Sequence, residues 1–263
     1  MNFEEIRFET EGSVGAITLN QPKTLNAMTL KMVAEINGAL DRCTVEQGVR
    51  CVLFAAEGRG FSSGVNLMEA AGAGGGQGMD TGIVLEQHFN PLMVRLRNLP
   101  VPIVAAVQGA CAGVGMSLAL CADMLIAARS AYFLQAFRRI GLIPDGGATW
   151  LLPRLVGRAR AMELGLMGDR LPAETALEWG LINRVVDDEA LADEGRALAR
   201  NLANGPTVAL GIMRKLFWDS LENDYETQLK QEAQSQREAG KTADFREGVK
   251  AFTEKREAVF AGR

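Results

Sequence analysis

The chain has 263 residues, 48% of them hydrophobic and 23% charged, a balance that supports a sizeable core and excludes disordered, collagen-like and disulfide-scaffold classes. Its 28 Lys and Arg against 32 Asp and Glu leave a net charge of −4, so no basic nucleic-acid footprint is expected. One histidine, His88, and four dispersed cysteines, Cys43, Cys51, Cys111 and Cys121, with no CxxC pair, argue against a Cys/His metal site and for buried thiols in a reducing compartment. Any histidine-dependent triad has to use His88. The opening Met1-Asn2-Phe3-Glu4-Glu5 leads into no apolar stretch and no apolar run is long enough to span a bilayer. A cytoplasmic protein without a membrane partner is therefore expected.

In chain order, Ile6-Arg7-Phe8-Glu9 and Val14–Leu19 alternate around Glu11-Gly12 and predict an antiparallel hairpin. After the turn at Asn20-Gln21-Pro22-Lys23, Thr29 can cap a helix whose apolar face is Leu30, Val33, Ile36 and Leu40. The continuously apolar runs 51–56, 103–107 and 124–128 predict strands covered on both faces. Helical patterns at 83–98 and 114–121 lie between them, so the core reads as α/β with βαβ crossovers. Beyond residue 147 the signals are helical, at 147–155, 158–167, 173–178, 189–203, 206–220, 223–239 and 243–259, with one strand at 182–186. Residues 1–200 are read as the core and 201–263 as a C-terminal helical region. Thr242 is a possible cap for the last helix, which carries Phe245, Val249, Phe252 and Val259 at helical spacing. The Gly-rich run 71–82 reads as a surface loop or a lid, since it lacks the Lys-Ser/Thr ending of a phosphate loop.

Three segments can carry chemistry. Gly109–Ser117 places glycines between an apolar strand and an apolar helix, which suits either tight packing or main-chain N–H groups that hold an oxyanion. It fails as a dinucleotide fingerprint and as a nucleophile elbow, because the final Gly of each is missing. Gly58–Asn66 follows the 51–56 strand, at the strand end where open α/β sheets bind ligands. In Gly141-Leu142-Ile143-Pro144-Asp145-Gly146, Asp145 is either a turn or cap residue or a carboxylate tuned for proton transfer by apolar neighbours. His88 reads as a surface or packing histidine.

Taken in this order, these segments resemble the enoyl-CoA hydratase/isomerase (crotonase) superfamily. The likeness begins at Asn20-Gln21-Pro22-Lys23-Thr24-Leu25-Asn26-Ala27. It continues through Phe61-Ser62-Ser63-Gly64-Val65-Asn66-Leu67 and Gly109–Gly115 with Asp123, and ends at Phe252-Thr253-Glu254-Lys255-Arg256. It implies a crotonase-like ββα superhelix with a helical C-terminal trimerisation region, assembled as a homotrimer or hexamer. It also implies acyl-CoA chemistry through a thioester enolate. No cofactor is implied beyond the coenzyme A of the substrate, and no metal.

Carried over residue by residue, the resemblance puts the oxyanion-hole N–H groups at Val65 and Val114, the second usually Gly in the hydratases. It puts Lys23 and Leu25 against coenzyme A, with Phe252 and Lys255 reaching it from the C-terminal region, often from a neighbouring subunit. Asn66, Leu67 and Phe137 join the substrate site, while Met68 replaces a lysine the hydratases carry. The two glutamates with which family hydratases handle water correspond to Ser117 and Phe137, so two-carboxylate hydration is not expected. Asp145 stands where dienoyl-CoA isomerases and an aromatic-acyl-CoA dehalogenase place a functional Asp. The dehalogenase also needs a histidine where this chain has Asn90. The runs 141–154, 158–162, 185–189 and 244–249 are most similar to the ring-epoxide isomerases of phenylacetate degradation. An acyl-CoA isomerase with Asp145 moving the proton is the expectation. An enoyl-CoA hydratase and a non-catalytic acyl-CoA-binding protein are the alternatives.

Overall fold

The computed structural model describes residues 3–45, 48–66 and 80–263. Strands β1 (Ile6–Glu11) and β2 (Val14–Leu19) form the expected hairpin, with Ile6 opposite Leu19 and Glu11 opposite Val14. β2 then pairs in parallel with β3 (Cys51–Ala56), β3 with β4 (Ile103–Val107), β4 with β6 (Met124–Ala128) and β6 with β9 (Arg184–Val186). The resulting six-stranded sheet runs β1-β2-β3-β4-β6-β9. A second sheet joins β5 (Ala110–Ala112), β7 (Tyr132–Leu134) and β8 (Leu171–Pro172).

The apolar runs form central strands because both faces are covered. Every residue of β4 is buried. Leu53, Val104, Ala106, Ile126 and Ala128 pack against Leu191, Leu198 and Ala199 of helix Leu191–Ala203. Gly195 permits that approach, since a Cβ there would lie 3.0 Å from the Ala106 methyl. On the opposite face, Met32, Val33, Ile36, Ala39 and Leu40 of helix Leu30–Val45 join Val52, Phe54, Ile103 and Ala105 in the main core. Full burial of one such Leu or Ile contributes roughly 1.5–3 kcal/mol. Thr29 caps that helix as expected, its hydroxyl accepting the Met32 N–H at 2.9 Å.

Several expected elements change in detail. The 83–98 helix is an α-turn at Thr81–Val84, a π-turn at Leu85–Phe89 and an α-helix at Asn90–Arg97. The strand expected at 182–186 is confined to Arg184–Val186. The last helix, capped by Thr242 through the Phe245 N–H, ends at Glu254 instead of 259, because Lys255 turns left-handed at φ 55°. Val259 thus lies outside the helix. No helix among the described residues is long and apolar enough to cross a membrane.

Candidate active site

The site is built at the carboxyl ends of β3 and β4, where a parallel sheet leaves a crevice. Two loops leaving those strands are zipped together. The Phe61 N–H donates to the Gln108 carbonyl at 2.8 Å, the Ser62 N–H to Ala110 at 2.9 Å, and the Ala112 N–H to Ser62 at 2.8 Å. Gly109 permits this contact, because at φ +52° a Cβ would fall 1.9 Å from the Arg59 carbonyl oxygen. Asn26, fully buried, braces the first loop. Its side-chain carbonyl accepts the Gln21 N–H at 2.7 Å and its amide donates to the carbonyls of Glu57 and Gly60, both at 2.9 Å. Ser62 completes the brace by donating to the Asn26 carbonyl at 2.8 Å.

This zipper delivers Val65 and Val114 to one cavity of about 540 Å³. The flanking Met28 N–H and Asn66 N–H bond across the loop to Gly64 and Met28 carbonyls, while the Val65 N–H has no acceptor among the described residues. Val114 is the second residue of helix Gly113–Leu120, which has no side-chain cap. Its N–H therefore belongs to the first turn, where no intrahelical acceptor exists and the helix dipole favours negative charge. A valine fits because the backbone there is helical, and its side chain turns toward Gly146, to within 3.3 Å of where a Cβ would stand.

Asp145 faces the same cavity. The turn-or-cap alternative fails for its side chain. Helix Ala148–Leu155 begins at Gly147 with no side-chain cap, and only the Asp145 main-chain carbonyl accepts the Ala148 N–H. One carboxylate oxygen is buried without a hydrogen-bond partner among the described residues, and burial pushes the carboxyl up from 3.8 to about 6. Leu85, Phe89, Phe137, Leu142, Ile143 and Pro144 surround it with apolar surface, and no other carboxylate lines the cavity among the described residues. Phe137 is buried with its ring beside Gly113. Ser117 is fully buried, and its hydroxyl donates to the Asp145 carbonyl at 2.8 Å.

The other expected residues are placed less uniformly. Lys23 is exposed in a 3-10 turn, Pro22–Thr24. Leu25, left-handed at φ 54°, accepts the Ser63 N–H at 2.8 Å and so adjoins the first loop. Phe252 and Lys255 lie outside the cavity lining, Phe252 being 87% exposed. Leu67, Met68 and the 71–79 part of the Gly-rich run lie outside the described residues. His88 sits in the π-turn and is not among the cavity-lining residues. Sequence reasoning missed Leu85 and Phe89 as site residues. A π-turn in a cavity wall is a recurrent mark of function, but its extra residue leaves no clear trace in apolar periodicity.

The family model "Enoyl-CoA hydratase/isomerase" matches residues 9–263. This chain belongs to the enoyl-CoA hydratase/isomerase family. It is 46% identical over 260 residues to the 1,2-epoxyphenylacetyl-CoA isomerase of Escherichia coli K12, with 99% of each chain covered. It is 44% identical to a probable enoyl-CoA hydratase of Rhodobacter capsulatus over the full length of both. Among solved structures, a putative enoyl-CoA hydratase from Streptomyces coelicolor A3(2) superposes with TM-score 0.93 at 34% identity, covering 100% of this chain and 96% of that one. A putative enoyl-CoA hydratase/isomerase from Mycobacterium abscessus gives 0.92 at 35% identity, covering 98% and 100%. The fold of this enoyl-CoA hydratase/isomerase family member is thus the crotonase fold, and the chain is an enzyme.

Proposed function

We propose that this enzyme isomerises an acyl-CoA thioester by moving one proton. Asp145 is the transfer group, and the N–H groups of Val65 and Val114 hold the enolate oxygen. The observation that carries this reading is the Asp145 carboxyl, partly desolvated and lacking a partner for one oxygen among the described residues, in the same cavity as two main-chain N–H groups without acceptors among those residues. The ionised carboxylate takes a proton from the carbon next to the thioester. The charge moves to the thioester oxygen, where the two N–H groups meet it. The proton returns at another carbon of the conjugated system, so every atom of the substrate is conserved. Each oriented donor of this kind is worth roughly 3 kcal/mol in the transition state.

Hydration would need a second group to activate water, and the positions that correspond to the hydratase glutamates hold Ser117 and Phe137. The Ser117 proton is already engaged by Asp145. The E. coli relative's name supports a ring-epoxide phenylacetyl-CoA as substrate. With that substrate the bond between the two epoxide carbons opens as the ring expands, and the proton moves from the carbon next to the thioester to a ring carbon, giving an oxepin-type CoA ester of the same composition. The apolar wall of Val84, Leu85, Phe89 and Phe137 suits an aromatic ring. An unsaturated acyl-CoA whose double bond shifts is the related substrate class. Lys23 and Leu25 approach coenzyme A from the same chain, with Asn66 and Leu67 on the substrate. Phe252 and Lys255 act from a neighbouring subunit of a homotrimer or hexamer. No cofactor beyond the substrate's own coenzyme A is required.

The test is a panel of CoA thioesters followed by mass and ultraviolet absorbance with wild type and Asp145→Asn. The expected result is a product of unchanged mass and a variant slower by about 10²–10⁴ in kcat. Near wild-type turnover of Asp145→Asn on every accepted thioester, or a product heavier by one water, overturns the reading.

A further inference from the structure

We propose that Ser117 is a positioning residue. With the Val114 side chain it forms a seat that fixes the Asp145 turn relative to the oxyanion hole, and so sets the path over which the proton is moved. The inference rests on the reading of Asp145 given above. Ser117 follows Val114 by three residues in helix Gly113–Leu120, so the two share a face. A buried helical serine commonly donates to the carbonyl four residues back. Here that oxygen, on Gly113, is 3.4 Å away, and the Asp145 carbonyl is at 2.8 Å. A hydroxyl has one proton, and the shorter bond takes it.

Packing repeats the same connection. Gly146, at φ +58°, lies so close to the helix that a Cβ would come 2.9 Å from the Ser117 Cβ and 3.3 Å from the Val114 Cγ2. Elsewhere on the helix, a Cβ at Gly115 would fall 2.4 Å from Ser62, the residue zipped into the first oxyanion loop. One short helix therefore indexes both oxyanion segments and the carboxylate. The index is needed because the Asp145 carboxyl has no side-chain hydrogen bond of its own to another described residue. Its position is inherited from the main chain that Ser117 holds.

The experiment compares wild type, Ser117→Ala, Ser117→Cys, Asp145→Asn and the double variant Ser117→Ala/Asp145→Asn, with full pH profiles on the accepted CoA thioester. Expected for Ser117→Ala is a kcat lower by about tenfold, the size of one lost buried hydrogen bond, with KM changed less than twofold. The acid limb of kcat/KM moves below its wild-type position, toward the ordinary carboxylate range, because a loosened Asp145 meets more water. In the Asp145→Asn background the Ser117 substitution adds no further loss. An unchanged kcat and acid limb in Ser117→Ala, or a loss that adds fully to that of Asp145→Asn, overturns the proposal. Ser117→Cys keeps the volume but not the strong donor, so it supplies the same measurements should the alanine variant fold poorly. Wild-type turnover in Asp145→Asn alone overturns the proton-transfer reading instead, which separates the two failures.

Discussion

The cavity and the C-terminal helices leave opposite kinds of group unsatisfied. Around the cavity the buried polar side chains Asn26, Ser62 and Ser117 are all bonded. Among the described residues, the groups left over in the cavity wall are the two valine N–H donors and one oxygen of Asp145, and behind that wall the Gln135 Oε1 also lacks a partner. In the C-terminal region the inner face is the satisfied one. Arg214 is buried against Asp123 at 2.6 Å and donates to the carbonyls of Leu96, Arg97 and Leu99, and the Asp244 carboxylate accepts the N–H groups of Ala261 and Gly262. Its outer face leaves apolar side chains bare, with Phe217 at 70%, Tyr225 at 78% and Phe252 at 87% exposure. Unsatisfied polar groups in a cavity mark where a reacting molecule goes. Unsatisfied apolar surface marks where a further surface goes.

The largest effect that sharpens this contrast is expected at Arg214. Replacing it with alanine leaves the half-buried Asp123 without its ion-pair partner and three main-chain carbonyls without their donor, which costs about 3–5 kcal/mol in a denaturant titration. A loss under about 1 kcal/mol would show that the inner face is not anchored there.

Asp145 comes next, with the opposite sign. Burial raises its native pKa from 3.8 to about 6, so the native state binds a proton more tightly than the unfolded chain between those values. Its contribution to stability therefore falls as pH rises through that window, and the full cost is present above it. The lift corresponds to at most ~3 kcal/mol, trimmed by partial solvent access to ~1–2 kcal/mol. Asp145→Asn is accordingly expected to melt higher than wild type at pH 7, by about 2–6 °C, and to lose that advantage below pH 4. Equal melting at both pH values would sink the idea of a strained carboxylate. In the wild type, kcat/KM is expected to rise with pH through about 6 as the base ionises.

The smallest effect is expected at Phe252. In the assembly proposed above a neighbouring subunit covers this ring, so Phe252→Asp is expected to lower the melting temperature by about 1–2 °C and to shrink the particle seen by light scattering. An unchanged melting temperature and particle size would show that this face stays uncovered in solution.

Much of this architecture is legible in local pattern. The three apolar runs, the hairpin at β1 and β2, and the caps at Thr29 and Thr242 come from periodicity and turn chemistry that act within a few residues. β5, β7 and β8 escape such a reading, because two or three residues carry too little pattern and exist as strands only through their partners. The premature end of the last helix at Lys255 is similar. Apolar spacing runs on to Val259, but the following chain turns back, with the Arg256 N–H bonding to the Ala251 carbonyl and the Val259 N–H to Glu247.

The sequence by itself determined the α/β core and, through resemblance, the family. The core follows from residue types at fixed spacing, whereas the roles proposed for Val65, Val114 and Asp145 entered through the resemblance. Only the tertiary structure decided what those residues are to one another. Asp145 is separated along the chain from Val65 and Val114, and no local rule links a carboxylate at 145 to a hydroxyl at 117. The link arises because Gly146 has no Cβ and lies against the helix carrying Val114 and Ser117, where the Ser117 hydroxyl meets the Asp145 carbonyl. The raised Asp145 pKa likewise belongs to the fold, since it comes from burial among side chains drawn from several separate segments.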